Sequence, residues 1–178
     1  MQEIFDVTSL DFAPFILSFK LAGITTLILF VFALPLAWFL SQTNSKTNPI
    51  LEAVTALPIV LPPSVLGFYI LVVLSPNSAV GAFFEDLLGV KLVFSFTGLV
   101  VASCFYSLPF MVQPLQSGFE SLNKHMLEAS YLAGKSKLQT VLKVALPNIK
   151  PSLITALILN YTLTVVVFGK VYMEGATP

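Results

Sequence analysis

Four long apolar stretches constrain the fold of this chain more than any other feature of its sequence. A helix needs about 20 residues to cross a hydrocarbon core about 30 Å thick, and each stretch is near or above that length. Helices satisfy their own backbone hydrogen bonds in lipid, and long unbroken apolar runs are typical of them. The sequence therefore predicts an all-α polytopic inner-membrane bundle, one domain over residues 1–178, with spans near 15–40, 50–74, 92–115 and 152–168.

The composition excludes several functional classes. Hydrophobic residues make up 56% of the chain and charged residues 10%, against about 45–50% and about 25% in soluble domains. The formal net charge is zero, so the chain lacks the basic surface that nucleic-acid binding uses. One cysteine and one histidine cannot form a Cys/His metal cluster. We expect no metal site and no cofactor, and the residues show no set of nucleophile, base and acid that would predict an enzyme.

The lysines predict how the chain is oriented in the lipid bilayer. Short loops rich in lysine stay on the cytoplasmic side. Lys46 lies between the first two apolar stretches, and five further lysines lie in the 117–151 connection, called the hairpin below. Acidic residues predominate in the amino-terminal tail and in the 75–91 connection. We therefore expect four crossings with the N-terminus outside. Because the tail has no lysine, we also expect the first helix to be retained rather than cleaved as a signal peptide.

The hairpin carries local signals for two short helices. Asn123 can cap the first helix, and Gly134 can take the left-handed conformation that ends it. Ser136 and Gln139 have the spacing of a capping box, which would start the second helix. Pro147 is expected to stop that second helix. The sequence therefore predicts a helix–turn–helix on the inner face of the membrane.

The same segment follows a fixed pattern of spacing. Glu128-Ala129-Ser130 is followed after three residues by Gly134, and then after nine residues by Val144, one further residue and Leu146-Pro147. This order resembles the EAA loop of bacterial ABC-importer permeases, in which Ala and Ile stand where Ser130 and Val144 lie here. In that family the first of the two helices docks on the cytoplasmic ATPase subunit and transmits its closure to the membrane helices.

The resemblance implies an ATPase-coupling role for part of the hairpin. The alternative is an amphipathic interfacial helix pair in which Gly134 is an ordinary C-cap. A loose phosphate-binding P-loop pattern ending at Lys135-Ser136 is rejected, because no buried strand precedes it. The candidate coupling residues are Lys124, His125, Glu128, Ala129, Ser130, Gly134, Lys135, Leu146 and Pro147.

Three further segments resemble the molybdate-importer permeases in particular. They cover residues 57–69, 94–100 and 106–116. The resemblance implies the membrane subunit of an ATP-driven importer of a tetrahedral oxyanion, with molybdate as the first candidate and sulfate, thiosulfate or tungstate as alternatives. It also implies three partners, namely a cytoplasmic ATP-binding subunit that hydrolyses ATP, an external oxyanion-binding protein and a second copy of the permease.

Prolines inside the second apolar stretch predict a break in its helix. Proline removes a backbone donor, and bent or unwound segments in membranes are tolerated where protein or a water-filled cavity covers them. Nearby polar side chains could donate to a passing oxyanion. The alternative is a structural kink with hydroxyl groups that pair one helix with another. The candidates for the translocation path are Pro58, Pro62, Pro63, Ser64, Tyr69 and Ser107.

The carboxyl end departs from the family pattern. The family carries His, Gly and Glu where Leu163, Val166 and Val167 stand here, and it continues with a further hydrophobic helix beyond the residues that end this sequence. Aliphatic side chains thus stand, inside a membrane, where the family has a glycine and two ionisable residues. These departures leave a second function class open, a truncated remnant that docks on the ATPase without transporting.

Overall fold

The computed structural model describes residues 13–42, 48–89, 93 and 95–175, and helices are the regular secondary structure in those ranges. The all-α prediction is confirmed. The amino-terminal tail and Lys46, which contributed to the predicted orientation, lie outside the described residues. The helices are α1 Ala13–Gln42, α2 Asn48–Val60, α3 Pro63–Leu74, α4 Ala79–Leu88, α5 Phe96–Glu120, α6 Lys124–Leu132, α7 Lys137–Thr140, α8 Leu146–Asn148 and α9 Lys150–Gly175, with a π-helical segment, Val141–Ala145, between α7 and α8.

Three helices of the described residues are long and apolar enough to cross a membrane alone. They are Phe15–Gln42, Phe96–Glu120 and Lys150–Val167. Three of the four predicted spans are therefore present as single helices. The α5 span starts and ends later than the predicted 92–115, and it continues through both of its internal prolines.

The remaining predicted span is broken. The two helices of this stretch, α2 and α3, meet at a bend of 112°, and Leu61 and Pro62 between them are not helical. With 13 and 12 residues, neither helix extends more than about 20 Å, which is too short to cross alone. Pro62 and Pro63 have no N–H for the carbonyls of Pro58 and Ile59, so two successive helical hydrogen bonds are lost at the bend, whereas the prolines inside α5 are isolated from each other. The predicted bend is confirmed.

The core of the bundle lies where α1, α5 and α9 pack against one another. Ala33 and Ala37 of α1 and Ala156 of α9 are completely buried. Small residues of this kind let membrane helices approach closely. Met111 and Leu115 of α5, also completely buried, fill the space between them. Since α5 contacts α1, α2, α3 and α9, it is the central helix of the bundle.

Side-chain contacts show which ends of the spanning helices lie together. At one end, called the hairpin end below, Trp38 of α1 packs edge-on against Phe119 of α5, with ring centroids 5.1 Å apart. At the opposite end, the Lys20 ammonium of α1 lies 5.8 Å from the ring centroid of Phe96, the first residue of α5. The helices α1 and α5 therefore run in the same direction.

The chain between α1 and α5 must consequently pass back from the hairpin end to the opposite end. At the start of this passage, Gln116 Nε2 of α5 donates to Glu52 Oε1 of α2 at 2.9 Å, which places the beginning of α2 near the hairpin end. The bent pair and α4 therefore carry the chain across although they form no straight span. Helix α4 also occupies much of the 75–91 connection, which the charge pattern alone had not distinguished from a loop.

Candidate functional site

The first helix of the hairpin begins as predicted. The Asn123 side chain accepts a hydrogen bond from the backbone N–H of His125 at 2.9 Å, and α6 starts at Lys124. This cap supplies an acceptor to one of the N–H groups that the start of a helix leaves unpaired. Three residues thus separate the end of α5 from the start of α6.

Gly134 ends α6 in the predicted left-handed conformation, with φ of 78°. Its N–H donates to the Tyr131 carbonyl at 2.9 Å, and the N–H of Lys135 donates to the Ser130 carbonyl at 3.2 Å. These two bonds form a Schellman motif, which satisfies carbonyls at the end of a helix. Glycine suits this position because it adopts positive φ without the cost that a Cβ brings.

The capping box predicted for the second helix is confirmed. The N–H of Gln139 donates to Ser136 Oγ at 3.3 Å, and the N–H of Ser136 donates to Gln139 Oε1 at 3.2 Å. Two donors at the start of α7 are satisfied by this exchange. The turn between α6 and α7 is therefore closed on both sides by local hydrogen bonds.

The prediction that Pro147 stops the second helix is wrong. The helical path widens into the π-helical segment, where the N–H of Leu146 bonds to a carbonyl five residues back. Pro147 then lies within α8, which continues the helical path directly from the π-helical segment. The break comes at Ile149, with φ of −101° and ψ of 20°, directly before α9 and its early Pro151.

Two hydroxyl groups join α6 to α7, a contact that the sequence analysis missed. Ser130 Oγ and Thr140 Oγ1 lie 2.9 Å apart. Both side chains are buried, with exposed fractions of 6% for Ser130 and zero for Thr140. Ser130 is the residue that departs from the family's second alanine, so the departure itself was a signal that a polar partner lay nearby.

The candidate coupling residues lie mainly on the surface of the hairpin. His125 Nδ1 and Glu128 Oε2 are 3.3 Å apart on successive turns of α6, and both side chains are exposed. Of the other candidates, Ser130 is buried, Lys135 and Leu146 are half-buried, and the exposed ones are Lys124, Ala129, Gly134 and Pro147.

Large apolar side chains share this surface. Leu132 is 89% exposed and Leu138 is 69% exposed, on either side of the turn at Gly134. Tyr131 and Leu142 are exposed as well. An exposed cluster of large apolar side chains among charged ones is typical of a surface that contacts another protein or a membrane.

A cleft of about 280 Å³ lies between α6 and the ends of α1 and α5. Its walls carry both acidic and basic groups, and the polar ones include Ser41, Gln42, Glu120, Lys124, Glu128 and Tyr131. No three His, Cys, Asp or Glu side chains of the described residues come together in a way that could hold a metal ion. On α6 the cleft is bordered by Lys124, Leu127, Glu128 and Tyr131.

The candidates for the translocation path fall into two groups. Pro58 is buried at the end of α2, whereas Pro62 at the break and Tyr69 on α3 are exposed. Pro63 and Ser64 form the first turn of α3, and their side chains lie outside the described residues. Pro62 gives α3 no side-chain cap, and its carbonyl accepts the N–H groups of Val65 and Leu66, each at 3.0 Å.

Ser107 lies in the core of the bundle. Its carbonyl accepts a hydrogen bond from Asn160 Nδ2 of α9 at 3.2 Å, and its hydroxyl lies 3.4 Å from Thr164 Oγ1. The Thr164 hydroxyl also donates to the Asn160 carbonyl at 2.9 Å. This polar cluster was not predicted from the sequence, although an amide side chain inside an apolar span is a signal for one.

The aliphatic residues that depart from the family pattern lie further along α9. Val166 is 57% exposed, while Leu163 and Val167 are half-buried. Thr164, which lies between them and matches the family, is buried and bonded within the bundle. The departures therefore alter the more accessible face of α9, whereas the face that packs on α5 keeps its polar residue.

Comparison with known proteins agrees with this architecture. Residues 30–168 match the family described as binding-protein-dependent transport system inner membrane component. The molybdenum transport system permease protein ModB of Azotobacter vinelandii is 45% identical over 165 residues, which cover 93% of this chain and 73% of the relative. The sulfate transport system permease protein CysT of Salmonella typhimurium is 33% identical over 141 residues, which cover 79% of this chain and 50% of the relative.

More distant relatives are of the same kind. The putative molybdenum transport system permease protein YvgM of Bacillus subtilis is 27% identical over 162 residues, 91% of this chain and 71% of the relative. The chain thus spans between half and three quarters of the length of these three permeases. With the spanning helices, the broken span and the EAA-type hairpin in place, the family match shows that this chain belongs to the inner-membrane components of binding-protein-dependent transport systems.

Proposed function

We propose that this chain is the membrane subunit of an ATP-driven importer that moves a tetrahedral oxyanion, molybdate, into the cytoplasm. The observation that carries the proposal is the hairpin, a capped and closed helix–turn–helix that presents α6 outside the bundle. The choice of molybdate is supported by the 45% identity to a molybdenum permease. Sulfate is the second candidate, because a sulfate permease is 33% identical.

The exposed surface of the hairpin supports docking of a cytoplasmic ATP-binding subunit. Protein interfaces bury apolar and aromatic side chains at their centre and keep charged groups at the rim. Leu132, Leu138 and Tyr131 can supply the centre, and His125 and Glu128 can supply polar contacts around it. The candidate coupling residues of α6 would then transmit the movement of that subunit.

The lysines of the hairpin support a cytoplasmic position for the hairpin end. Positive residues in short connections favour the cytoplasmic side of the membrane. With the hairpin inside, α1 and α5 run inward and α9 runs outward, which puts the N-terminus outside. In this proposal residues 1–178 form one membrane domain. The lysines concerned are Lys124, Lys135, Lys137, Lys143 and Lys150.

The broken span supports a path beside α2 and α3, with a second copy of the chain on its other side. Irregular backbone within a membrane is tolerated where it lines a cavity or is covered by protein. Phe68, Tyr69 and Val72 of α3 are all about half exposed or more, so this helix has an uncovered face. The start of α3, at Pro63 and Ser64, carries the positive end of its helix dipole, which favours an anion.

The test is transport by a purified complex in liposomes. The chain is reconstituted with the ATP-binding subunit and the external binding protein of its own organism, and uptake of labelled molybdate is measured with ATP and with a non-hydrolysable analogue. We expect uptake that requires ATP and that tungstate inhibits more strongly than sulfate. Stronger uptake of sulfate than of molybdate would identify sulfate as the substrate. Association with the ATP-binding subunit without uptake of any oxyanion would overturn the transport function.

A further inference from the structure

We propose that the hydrogen bond between Ser130 and Thr140 is a coupling tie, which makes α6 move together with the segment that follows it. This inference rests on the proposed function, in which α6 receives the movement of an ATP-binding subunit. In that setting Ser130 and Thr140 are positioning residues. They touch neither the oxyanion nor ATP, and they determine how much of the movement of α6 reaches the membrane helices.

Helix α6 is only loosely embedded in the bundle. Its buried residues are Leu127 and Ser130, and it packs on α7 and on the π-helical segment. One face of α6, which includes Lys124, Glu128 and Tyr131, borders the cleft of about 280 Å³ beside the ends of α1 and α5. Besides the short connection from α5, the contact with α7 and the π-helical segment is therefore the main route by which a displacement of α6 reaches the bundle.

The segment that follows α6, at the far side of this route, is firmly fixed in the bundle. Ala145 and Ile149 belong to the same buried cluster as Leu115 and Phe119 of α5. Next to them, the backbone of Gly118 lies so close to α9 that an added Cβ would be 2.6 Å from Ser152 Cβ. Thr140, which directly precedes the π-helical segment, is thus joined to a block that contains α5 and the start of α9.

The contact that joins α6 to this block is a hydrogen bond between two buried hydroxyl groups. Apolar side chains can slide past one another by a small distance while keeping most of their contact. A buried hydrogen bond is directional, and separating its partners leaves two hydroxyls without water or protein to bond. The 2.9 Å bond between Ser130 and Thr140 therefore resists displacement of α6 relative to α7 in a way that neighbouring apolar contacts do not.

The experiment compares Thr140→Val, Ser130→Ala and the double variant S130A/T140V with Thr140→Ser, which keeps a hydroxyl. Each is reconstituted with the ATP-binding subunit and the binding protein, and two quantities are measured. The first is the amount of molybdate taken up per ATP hydrolysed. The second is the temperature midpoint of unfolding of the purified complex, which separates a loss of coupling from a loss of folding.

We expect a several-fold lower ratio of uptake to hydrolysis in Thr140→Val and in the double variant, and a near-normal ratio in Thr140→Ser. The midpoint should fall in each single variant, where one buried hydroxyl loses its partner, and should recover in the double variant, where none is left unpaired. Coupling that stays low while stability recovers is the signature of the tie.

Two results would overturn the inference. An unchanged ratio in Thr140→Val and in the double variant would show that α6 moves with the bundle without the hydrogen bond. A ratio that follows the midpoint and recovers in the double variant would show that the pair contributes to packing alone. Absence of ATP-dependent uptake by the unaltered complex is a different result, because it overturns the proposed function and with it any role for the tie.

Discussion

The hydroxyl of Thr26 on α1 donates a hydrogen bond to Asn160 Oδ1 on α9 at 2.8 Å. Asn160 is completely buried, and its amide group donates in turn to the Ser107 carbonyl on α5 at 3.2 Å. One amide side chain therefore joins all three spanning helices of the core. In lipid, where apolar contacts alone give helices little orientation, polar pairs of this kind help to fix how the helices face one another.

Replacing Thr26 by valine should destabilise the bundle. The Thr26→Val variant leaves Asn160 Oδ1 buried without its donor, and we expect a loss of about 1 kcal/mol, the size measured for such bonds between membrane helices. Thermal unfolding of the purified protein in detergent measures this loss of stability. Thr155→Val is the matched control, because the exposed Thr155 hydroxyl bonds to the Pro151 carbonyl of its own helix. Equal unfolding midpoints for the two variants would contradict the importance of the Asn160 bond.

Adding a methyl group at Gly118 should separate α5 from α9. The new Cβ in Gly118→Ala would lie 2.6 Å from Ser152 Cβ, and overpacking of this kind costs about 1–3 kcal/mol. We expect a lower unfolding midpoint, with partial recovery when Ser152→Gly is added. Gly23→Ala serves as the control, since a Cβ at Gly23 has no neighbour within 4 Å. A midpoint for Gly118→Ala equal to that of the control would show that α9 adjusts freely.

A β-branched residue at Gly134 should disrupt the turn of the hairpin. With φ of 78° and open space around it, Gly134→Val meets backbone strain and no steric contact, at a cost of about 1–2 kcal/mol. We expect weaker co-purification with the ATP-binding subunit and lower uptake. Gly134→Asn is the matched control, because asparagine tolerates positive φ. If the valine variant binds and transports as well as the asparagine variant, the turn geometry is not required.

Removing the two prolines at the break should impair transport while leaving docking intact. The double variant P62A/P63A restores N–H groups that can bond to the carbonyls of Pro58 and Ile59, which favours a continuous helix. We expect uptake to fall and binding to the ATP-binding subunit to persist. Pro35→Ala, which removes an exposed proline from α1, should leave uptake near normal. Full uptake by the double variant would mean that the break is not part of the path.

Cysteine labelling in intact cells tests the orientation. Cys104 is the one cysteine of the chain, so Cys104→Ser gives a background without thiols. Asn77 and Ser136 are both exposed, and cysteine at each position can react with a membrane-impermeant maleimide. We expect Asn77→Cys to be labelled from outside and Ser136→Cys to be labelled only after permeabilisation. The reverse pattern would invert the proposed orientation.

The features that could be predicted from the sequence depend on neighbouring residues. Asn123 caps α6 and Gly134 ends it through bonds that reach at most five residues along the chain. The break at Pro62 follows from the same kind of local chemistry, because a missing donor affects the residue four positions earlier. Such signals can be read without knowing the tertiary structure, and here they located the hairpin and the bent span.

The features that the sequence analysis missed depend on distant partners. Asn160 meets Thr26 across 134 positions of the chain, and the close approach of Gly118 to Ser152 depends on how α5 and α9 cross. Ser130 finds Thr140 only because the turn brings two helices together. The wrong expectation for Pro147 has a similar origin, since the preceding widened turn that accommodates it has no simple sequence signal.

The widened turn over Val141–Ala145 has a further consequence for the spacing of the hairpin. A π turn corresponds to one residue inserted into an α-helix, and each residue rotates a helix by about 100°. Deleting one residue there would change the helical phase, so that α6 would present a different face relative to α9. The number of residues between Gly134 and Val144, which is nine, therefore determines the angle by which α6 is rotated relative to α9. Loops usually tolerate insertions and deletions, but this connection should tolerate neither.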